Sequence, residues 1–359
     1  MTAPPSTLHM IVPGPLDQRT GGYLYDARIV SELADLGASV QVHSIPGRFP
    51  EADDEARAGL HEALARLDDG STVVIDGLAA GGVPDVVADH ADRLVIVALV
   101  HHPLADETGQ TPEQIGRSFT SERDTLRHVR GVIVTSPFTA RRLADFDVPE
   151  DRIRVVEPGT DPAPLADGPP ADAPARLVCV ASLSPRKGHD VLVEALDRLR
   201  ALDWSCICAG STTRDRDFSE GVRSSVEARG LGDRIDFCGE LETEELEEVY
   251  RTASLFVLPS HYEGYGMAYA EALARGIPVV GTTGGAIPDT VPGYAGVLVP
   301  PGDVDALTDA LEGLLVAPDR RDTLAEGARM HAQALPRWSE QAGRFRDAVS
   351  ELSALDARV

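Results

Sequence analysis

Short apolar runs alternate with amphipathic stretches of helical period along most of the chain. The run 8–12 (LHMIV) predicts a strand, a glycine-bearing loop follows, and 23–36 predicts a helix stopped by Gly37. A second strand is expected at 38–44, then a helix over 51–67 with Leu60, Leu64 and Leu67 on one face. Further buried strands are expected at 71–77, 93–100, 131–136 and 153–159. Ser136 is placed to cap a helix opened by Pro137. The stretch 161–175 (DPAPLADGPPADAPA) then breaks the alternation: it is rich in proline and alanine, has no period, and reads as a linker. A second series follows. Its strands are expected at 176–182, 204–210, 234–240, 254–260, 277–283 and 296–300. Its helices are expected at 188–202, near 217–230, 243–252 and 267–275, and at 303–315, 319–334 and 338–355.

Strands alternating with helices predict parallel sheets built from right-handed βαβ units. Two such series around a linker predict two Rossmann-like domains. Ligands of such sheets bind at the carboxyl ends of the strands, and with two domains the expected site is the cleft between them.

Charge narrows the choice of ligands. The chain carries 33 Lys+Arg against 58 Asp+Glu, a formal net charge of -25. Such a surface repels nucleic-acid phosphates and anionic membranes, so nucleic acid is not an expected partner, and any anionic ligand needs a local, focused site. A GC-rich genome explains arginine in place of lysine. A salt-rich cytoplasm explains that and the acid excess together, because screening makes high net charge tolerable, so an acidic proteome of a halophile is the expectation. Cys179, Cys206, Cys208 and Cys238 share no CxxC spacing and lie in apolar runs, which predicts buried free thiols in a reducing cytoplasm. No zinc spacing is present, and the DxD-type stretches 215–217 and 303–305 are not at a plausible diphosphate loop, so no metal is expected. The first residues lack the features of a signal peptide. Apolar runs such as 94–100 fall far short of the ~20 residues that span a bilayer. The expected location is the cytoplasm, with weak peripheral membrane contact left open.

Two stretches carry the chemistry. Residues 184–190 (SPRKGHD) contain Lys187, the only lysine in 359 residues. It falls between an expected strand and an expected helix, where free N–H groups and the positive end of the helix dipole favour an anion. It is not a P-loop lysine, and no GxGxxG follows the first strand, which argues against a dinucleotide-dependent dehydrogenase. Residues 261–272 (HYEGYGMAYAEA) follow another strand. Gly264 and Gly266 allow close backbone approach to a ligand, and the helix starting near Gly266 aims N–H groups at it. Glu263 and Glu271 are eight residues apart and do not form a close pair on one face. They suit different parts of one elongated ligand, since a carboxylate accepts paired hydrogen bonds from vicinal hydroxyls.

This segment resembles the E-x7-E motif of the retaining glycosyltransferases of family 4, which have the GT-B fold. Residues 254–289 read like the family's signature almost throughout, and 184–196 is similar to its phosphate-binding segment. Gly21-Gly22 matches the loop into the first long helix, 100–103 (VHHP) matches the histidine after a strand, and 155–161 matches the usual end of the first domain. The resemblance covers the whole chain, strongly in 176–316 and diffusely before that. It implies an α/β, GT-B architecture of two Rossmann-like domains facing each other across a cleft. Residues 1–160 would be the acceptor-side domain, 161–173 the linker and 174–337 the nucleotide-sugar domain, with the last helix, about 338–359, crossing back to the first. It implies a retaining, metal-independent transfer of a hexosyl group from a UDP- or GDP-sugar to an acceptor hydroxyl on a small molecule, glycan or lipid. No cofactor beyond the donor is implied.

Residue by residue, the resemblance implies that Lys187 neutralises the diphosphate. Gly266, Met267 and Gly22 would hold the same phosphates through backbone N–H groups, with Gly264 and Tyr265 in the same donor loop. Glu271 would bind the ribose, Glu263 the hydroxyls of the transferred sugar, and Gly239 to Leu241 the base, while His101 would line the sugar site. Glu263, Lys187 and His101 are the catalytic candidates, and His102, Asp106 and Glu107 are candidates for the acceptor. One position departs from the family pattern: Ser182 stands where an arginine is common, and Arg186 is the candidate to compensate. The alternatives are a GT-B nucleotide-sugar 2-epimerase and a catalytically silent nucleotide-sugar-binding protein.

Overall fold

The computed structural model describes residues 7–170 and 172–356. The chain forms two compact units, one running up to Gly159 and resuming at Pro336, the other spanning Thr160–Leu335. The first unit holds β1 (Leu8–Pro13), β2 (Val40–Ile45), β3 (Thr72–Asp76), β4 (Val95–Val100), β5 (Gly131–Val134) and β6 (Ile153–Val155) in the order β2-β1-β3-β4-β5-β6. The second holds β7 (Ala175–Val180), β8 (Trp204–Ala209), β9 (Ile235–Gly239), β10 (Leu255–Val257), β11 (Val279–Thr282) and β12 (Gly296–Val299) in the order β12-β11-β10-β7-β8-β9. All pairings are parallel.

The sequence explains which strands are central. β4 (VIVALV) and β5 (GVIV) are apolar without interruption and almost wholly buried, as strands covered on both faces require. The edge strand β2 (VQVHSI) alternates and is only partly buried. Within each sheet the strand order reverses at one point: between β1 and β3 in the first unit, and between β7 and β10 in the second. There the connections leave in opposite directions, the place where sheets of this kind generally bind their ligands.

Several elements differ from the sequence expectation. The first helix begins at Gly21 rather than Tyr23. The strands expected at 153–159 and 254–260 shorten to Ile153–Val155 and Leu255–Val257, with Pro158 and Pro259 unable to extend a ladder. The helices Pro84–Ala91 and Pro112–Leu126 were not expected from periodicity. The second is polar over most of its surface, and its clearest signal is the capping box of Thr111 and Gln114 with Pro112 at the first turn. Ser136 does cap the helix that Pro137 opens, accepting from Thr139 N at 3.1 Å. Of the stretch expected as a linker, residues 166–168 are pinned to the second unit: Ala166 N donates to Arg275 O, and Asp167 N and Gly168 N donate to Arg251 O. Cys179, Cys206 and Cys208 are buried free thiols, but Cys238 is only half-buried because β9 is an edge strand.

The last helix, Trp338–Ser353, belongs to the first unit. Trp338 meets Tyr25 edge-on at 5.9 Å between ring centroids, Arg28 lies over Trp338, and Arg154 pairs with Glu351 at 2.6 Å. Among the described residues no helix is long and apolar enough to cross a membrane.

The loops after β7 and β10 lock onto each other. His261 N donates to Arg186 O at 2.7 Å, and Gly188 has φ +68 with a hypothetical Cβ only 2.3 Å from Pro259 O. Gly188→Ala therefore meets both left-handed strain, about 1 kcal/mol or more, and a backbone clash. We expect it to destabilise the second unit by at least ~2 kcal/mol. Gly221→Ala, in a helix with nothing within 4 Å of its Cβ, should be neutral or stabilising by up to about 1 kcal/mol. Urea unfolding followed by Trp204 fluorescence in a Trp338→Phe background distinguishes the two.

Candidate active site

In the second unit, the chemistry gathers at the switch point. After β7 the chain makes a 3₁₀ turn, Pro185–Lys187, passes through left-handed Gly188, and enters the helix His189–Arg198. After β10 it runs through Ser260 and Glu263 to left-handed Gly266, which opens the helix Met267–Ala274. These two adjacent connections bring Lys187 onto Glu263. Lys187 Nζ donates to Glu263 Oε1 at 2.6 Å, Ser260 Oγ donates to the same oxygen at 2.6 Å, and Arg186 Nη1 reaches Oε2 at 3.2 Å and Tyr262 O at 2.9 Å. Glu263 is 6% exposed. Burial opposes its ionisation, yet the charges of Lys187 and Arg186 and the hydrogen bonds of Lys187 and Ser260 hold its carboxyl at about 2. Burial also lowers Lys187, and Glu263 offsets part of that. At neutral pH the group is a buried carboxylate clasped by two cations.

The backbone beneath is fixed from below. Ala286 N donates to Glu263 O at 2.8 Å, Thr282 Oγ1 to Ser260 O at 2.5 Å, and Thr290 Oγ1 to Tyr265 O at 2.6 Å. Tyr265 is buried and Gly264 half-buried. Gly266 leaves no room for a side chain, its hypothetical Cβ lying 2.6 Å from Tyr269 Cδ2. Tyr269 N and Ala270 N already donate to Gly266 O, which leaves the N–H groups of Met267 and Ala268 as the ones a helix start offers to an anion.

Glu271 stands apart, as the spacing predicts. It shares no partner with Glu263 and accepts from Tyr250 Oη at 2.9 Å. Its pKa is raised, chiefly by burial. Gly239 ends β9 with φ +72, and Leu241 follows it. β8 separates β9 from β7, which places this loop about 10 Å along the sheet edge at ordinary strand spacing. Ser182, in the family's arginine position, is half-buried at the start of the β7 loop.

In the first unit, β1, β3 and β4 direct a second cluster to their carboxyl ends. His101 follows β4, Asp76 ends β3, and Gly22 and Asp26 lie in the first turns of the helix Gly21–Asp35 after β1. His101 Nε2 is 3.2 Å from Asp26 Oδ1 and 3.4 Å from Asp76 Oδ2. A Cβ on Gly22 would meet His101 Cδ2 at 3.1 Å. Burial pushes Asp26 up to about 7 against the pull of His101. Burial alone would lower His101, but the two carboxylates hold it at about 10. Asp76 is held below the ordinary range despite burial, by His101 and the N–H of Leu78. His102 faces Glu107 at 3.3 Å, and Asp106 receives a bidentate pair from Arg142, the shortest contact 2.8 Å.

Sequence reading missed Ser260, Tyr250, Asp26 and Asp76. Two of them carry a signal in hindsight. Asp26 shares the buried face of its helix with Ile29 and Leu33, and Asp76 ends the otherwise apolar strand TVVID. Sequence spacing also gave no metal-like cluster, whereas the fold gathers Cys179, His189 and Cys208 with donor atoms within 4.8 Å of one another. That soft-ligand set is closed and buried in the core of the second unit.

Removing Glu263 should cost more than removing Lys187. Glu263→Gln leaves Lys187 and Arg186 facing each other without a counter-charge, and a loss of about 3–5 kcal/mol is expected. Lys187→Met leaves the carboxylate with Arg186 and Ser260 and should cost less. Because Glu263 is depressed from about 4.3 in the unfolded chain to about 2, its contribution is full above the unfolded value and fades as pH falls through the folded one. Denaturation between pH 2 and 7 should show that acid limb in the wild type and its loss in Glu263→Gln.

Residues 27–164 match the model "Glycosyltransferase Family 4" and residues 166–331 match "Glycosyl transferases group 1". A D-inositol 3-phosphate glycosyltransferase of Acidothermus cellulolyticus is 30% identical over 71% of this chain and 63% of its own length. A GDP-mannose-dependent alpha-(1-6)-phosphatidylinositol monomannoside mannosyltransferase of Mycobacterium tuberculosis is 29% identical over 60% of each chain. The chain thus spans about three fifths of the length of these relatives. A sucrose-phosphate synthase from Thermosynechococcus elongatus shares the fold at a TM-score of 0.82 and 23% identity, over 97% of this chain and 99% of its own. Two parallel Rossmann-like sheets, the E-x7-E segment after β10 and these matches together make the chain a member of the family 4 glycosyltransferases, with the GT-B fold.

Proposed function

We propose that the chain is a retaining, metal-independent transferase that moves a hexosyl group from a UDP- or GDP-hexose to an acceptor hydroxyl. The observation that carries this reading is the convergence of Lys187 and Arg186 on Glu263 beside the N-terminus of the helix Met267–Ala274. In a chain of net charge -25, this is a local cationic site of the kind a diphosphate needs.

Breaking the anomeric C–O bond leaves positive charge on the sugar and negative charge on the leaving diphosphate. Lys187, Arg186 and the N–H groups of Met267 and Ala268 are aimed at the negative charge, the arrangement that electrostatic catalysis requires. The same groups supply charge that a divalent cation would otherwise bring, so added chelator should leave the rate unchanged. Glu271, which shares no partner with Glu263 among the described residues, is the candidate for the ribose, and the Gly239–Leu241 loop at the end of β9 the candidate for the base. In the first unit, His101 with Gly22 is the candidate for contacts to the hexose and phosphates, and His102, Asp106 and Glu107 for the acceptor.

The partners of Glu263 favour same-face attack over a covalent intermediate. A carboxylate already accepting from Lys187, Ser260 and Arg186 is a poor nucleophile, and its remaining lone pairs suit sugar hydroxyls. A glycosyl adduct trapped on Glu263 and seen by mass spectrometry would overturn this preference.

Calorimetric titration of UDP, GDP and ADP and their hexose conjugates into wild type and Lys187→Ala tests the donor site. Tight binding of one diphosphate, weakened in the variant, is expected, together with a fall in turnover of about 10²–10³. Equal binding in both proteins would remove Lys187 from the phosphate site.

A further inference from the structure

The cluster around His101 has a construction that the transferase reading does not by itself require. Two carboxylates, from different strand ends, address the same ring nitrogen: Asp26 at 3.2 Å and Asp76 at 3.4 Å from Nε2. Asp26 is fully buried and Asp76 nearly so. Asp26 Oδ2 has no hydrogen-bond partner among the described residues, and Asp76 Oδ1 accepts from Leu78 N at 2.6 Å. Both carboxylates are withdrawn from water, and the ring is their shared partner, with Leu78 N a second donor to Asp76. Gly22 leaves no room for a side chain beside the ring, since a Cβ there would lie 3.1 Å from Cδ2, and Tyr25 meets the ring edge-on at 5.3 Å. His101 O accepts from Thr135 Oγ1 at 3.1 Å. The ring is thereby fixed in place, and 19% of the side chain stays exposed. Its other nitrogen, Nδ1, makes no hydrogen bond within the described residues.

Resting on the transferase reading above, we propose that Asp26 and Asp76 are positioning residues. They lock the Nε2–H of His101 between them, so that a protonated Nδ1–H is presented to a hydroxyl of the transferred hexose. A bond to an acceptor at Nε2 fixes a proton there, and a neutral ring would then carry only a lone pair at Nδ1. Two buried carboxylates stabilise the imidazolium instead, and the elevated pKa of His101 agrees. The other groups packed on the ring add no competing charge: Tyr25 donates its phenol to Val156 O, and Thr135 is neutral. Beyond Tyr25, Trp338 meets its ring edge-on and Arg28 lies over Trp338.

The second carboxylate has a further consequence. An imidazolium alone would add a net positive charge to its contact with a sugar that itself becomes positive during transfer. With Asp76 ionised and Asp26 either protonated or ionised, the three side chains sum to zero or minus one. The site gains a charge-assisted donor, stronger than a neutral one, without a net cation.

The test uses the full chain with isotope-labelled histidine, and His101→Gln assigns the ring signals. In the wild type both ring nitrogens should remain protonated through pH 8. Asp26→Asn keeps the size and loses the charge; Asp76→Asn does the same while retaining an acceptor for Leu78 N. Each should lower the ring's titration by at least one unit, about a tenfold change in its proton affinity. The turnover of each variant should then fall as pH rises through neutrality, with a smaller change in donor KM. A wild-type ring that is neutral at pH 7 overturns the proposal, and that measurement stands even if neither variant folds. Variants that titrate like the wild type, or a stoichiometric metal ion in place of the Nε2 proton, also overturn it. A ring that titrates as expected in a protein that turns over no nucleoside diphosphate hexose confirms the carboxylate lock and overturns the hexose hydroxyl as its target, together with the transferase reading.

Discussion

A buried carboxylate stays ionised only if cations are buried with it, and Glu263 sets that condition for the second unit. The cost of taking it from water exceeds what one exposed partner returns. The chain supplies Lys187 and Arg186 from the neighbouring loop and Ser260 from its own. The two loops can meet only because β7 and β10 are adjacent although far apart in sequence, which the strand order of a doubly wound sheet provides. Gly188 at φ +68 and Gly266 at φ +94 let the backbones close on each other. Fold, glycines and charges thus answer one constraint.

The first unit solves the opposite problem with the same topology. There the buried groups are two aspartate side chains, and a single imidazole lies within 3.4 Å of both. Again the groups leave the carboxyl ends of neighbouring strands, β3 and β4, and the helix after β1. In each unit the switch point is where sheet packing leaves side chains free to converge, so both polar clusters fall there and the apolar cores lie behind them.

Much of this was legible in the sequence. Continuous apolar runs gave the buried parallel strands, and the single lysine in an acidic chain pointed to the β7 loop. The eight-residue spacing separated Glu263 from Glu271, and the structure keeps them on different partners. What stayed hidden is of two kinds. The helix Pro112–Leu126 has too thin an apolar stripe for its period to stand out, although its capping box was readable. Asp26, Asp76, Ser260 and Tyr250 act through partners distant in the chain, and only strand order tells which loops become neighbours. A charged residue within an apolar stripe is a local sign of such a partner, and Asp26 shows that sign.

The excess of negative charge also bears on how a diphosphate is held. At ordinary ionic strength charges more than about 10 Å apart are largely screened, so the net charge of -25 weighs less on a ligand than the groups within its own contact distance. Those groups include a carboxylate that is ionised and buried. On the proposed donor site, a diphosphate at Lys187 would share the ammonium with Glu263 or take it over. In the first case the cations bridge two anions, and Glu263 keeps its orientation for sugar hydroxyls. In the second, Glu263 retains Arg186 and Ser260. Arg186 thus makes either exchange tolerable, because Glu263 is never left alone when Lys187 turns to the ligand. This is a reason for an arginine directly beside the lysine where the family's more distant arginine position is occupied by Ser182.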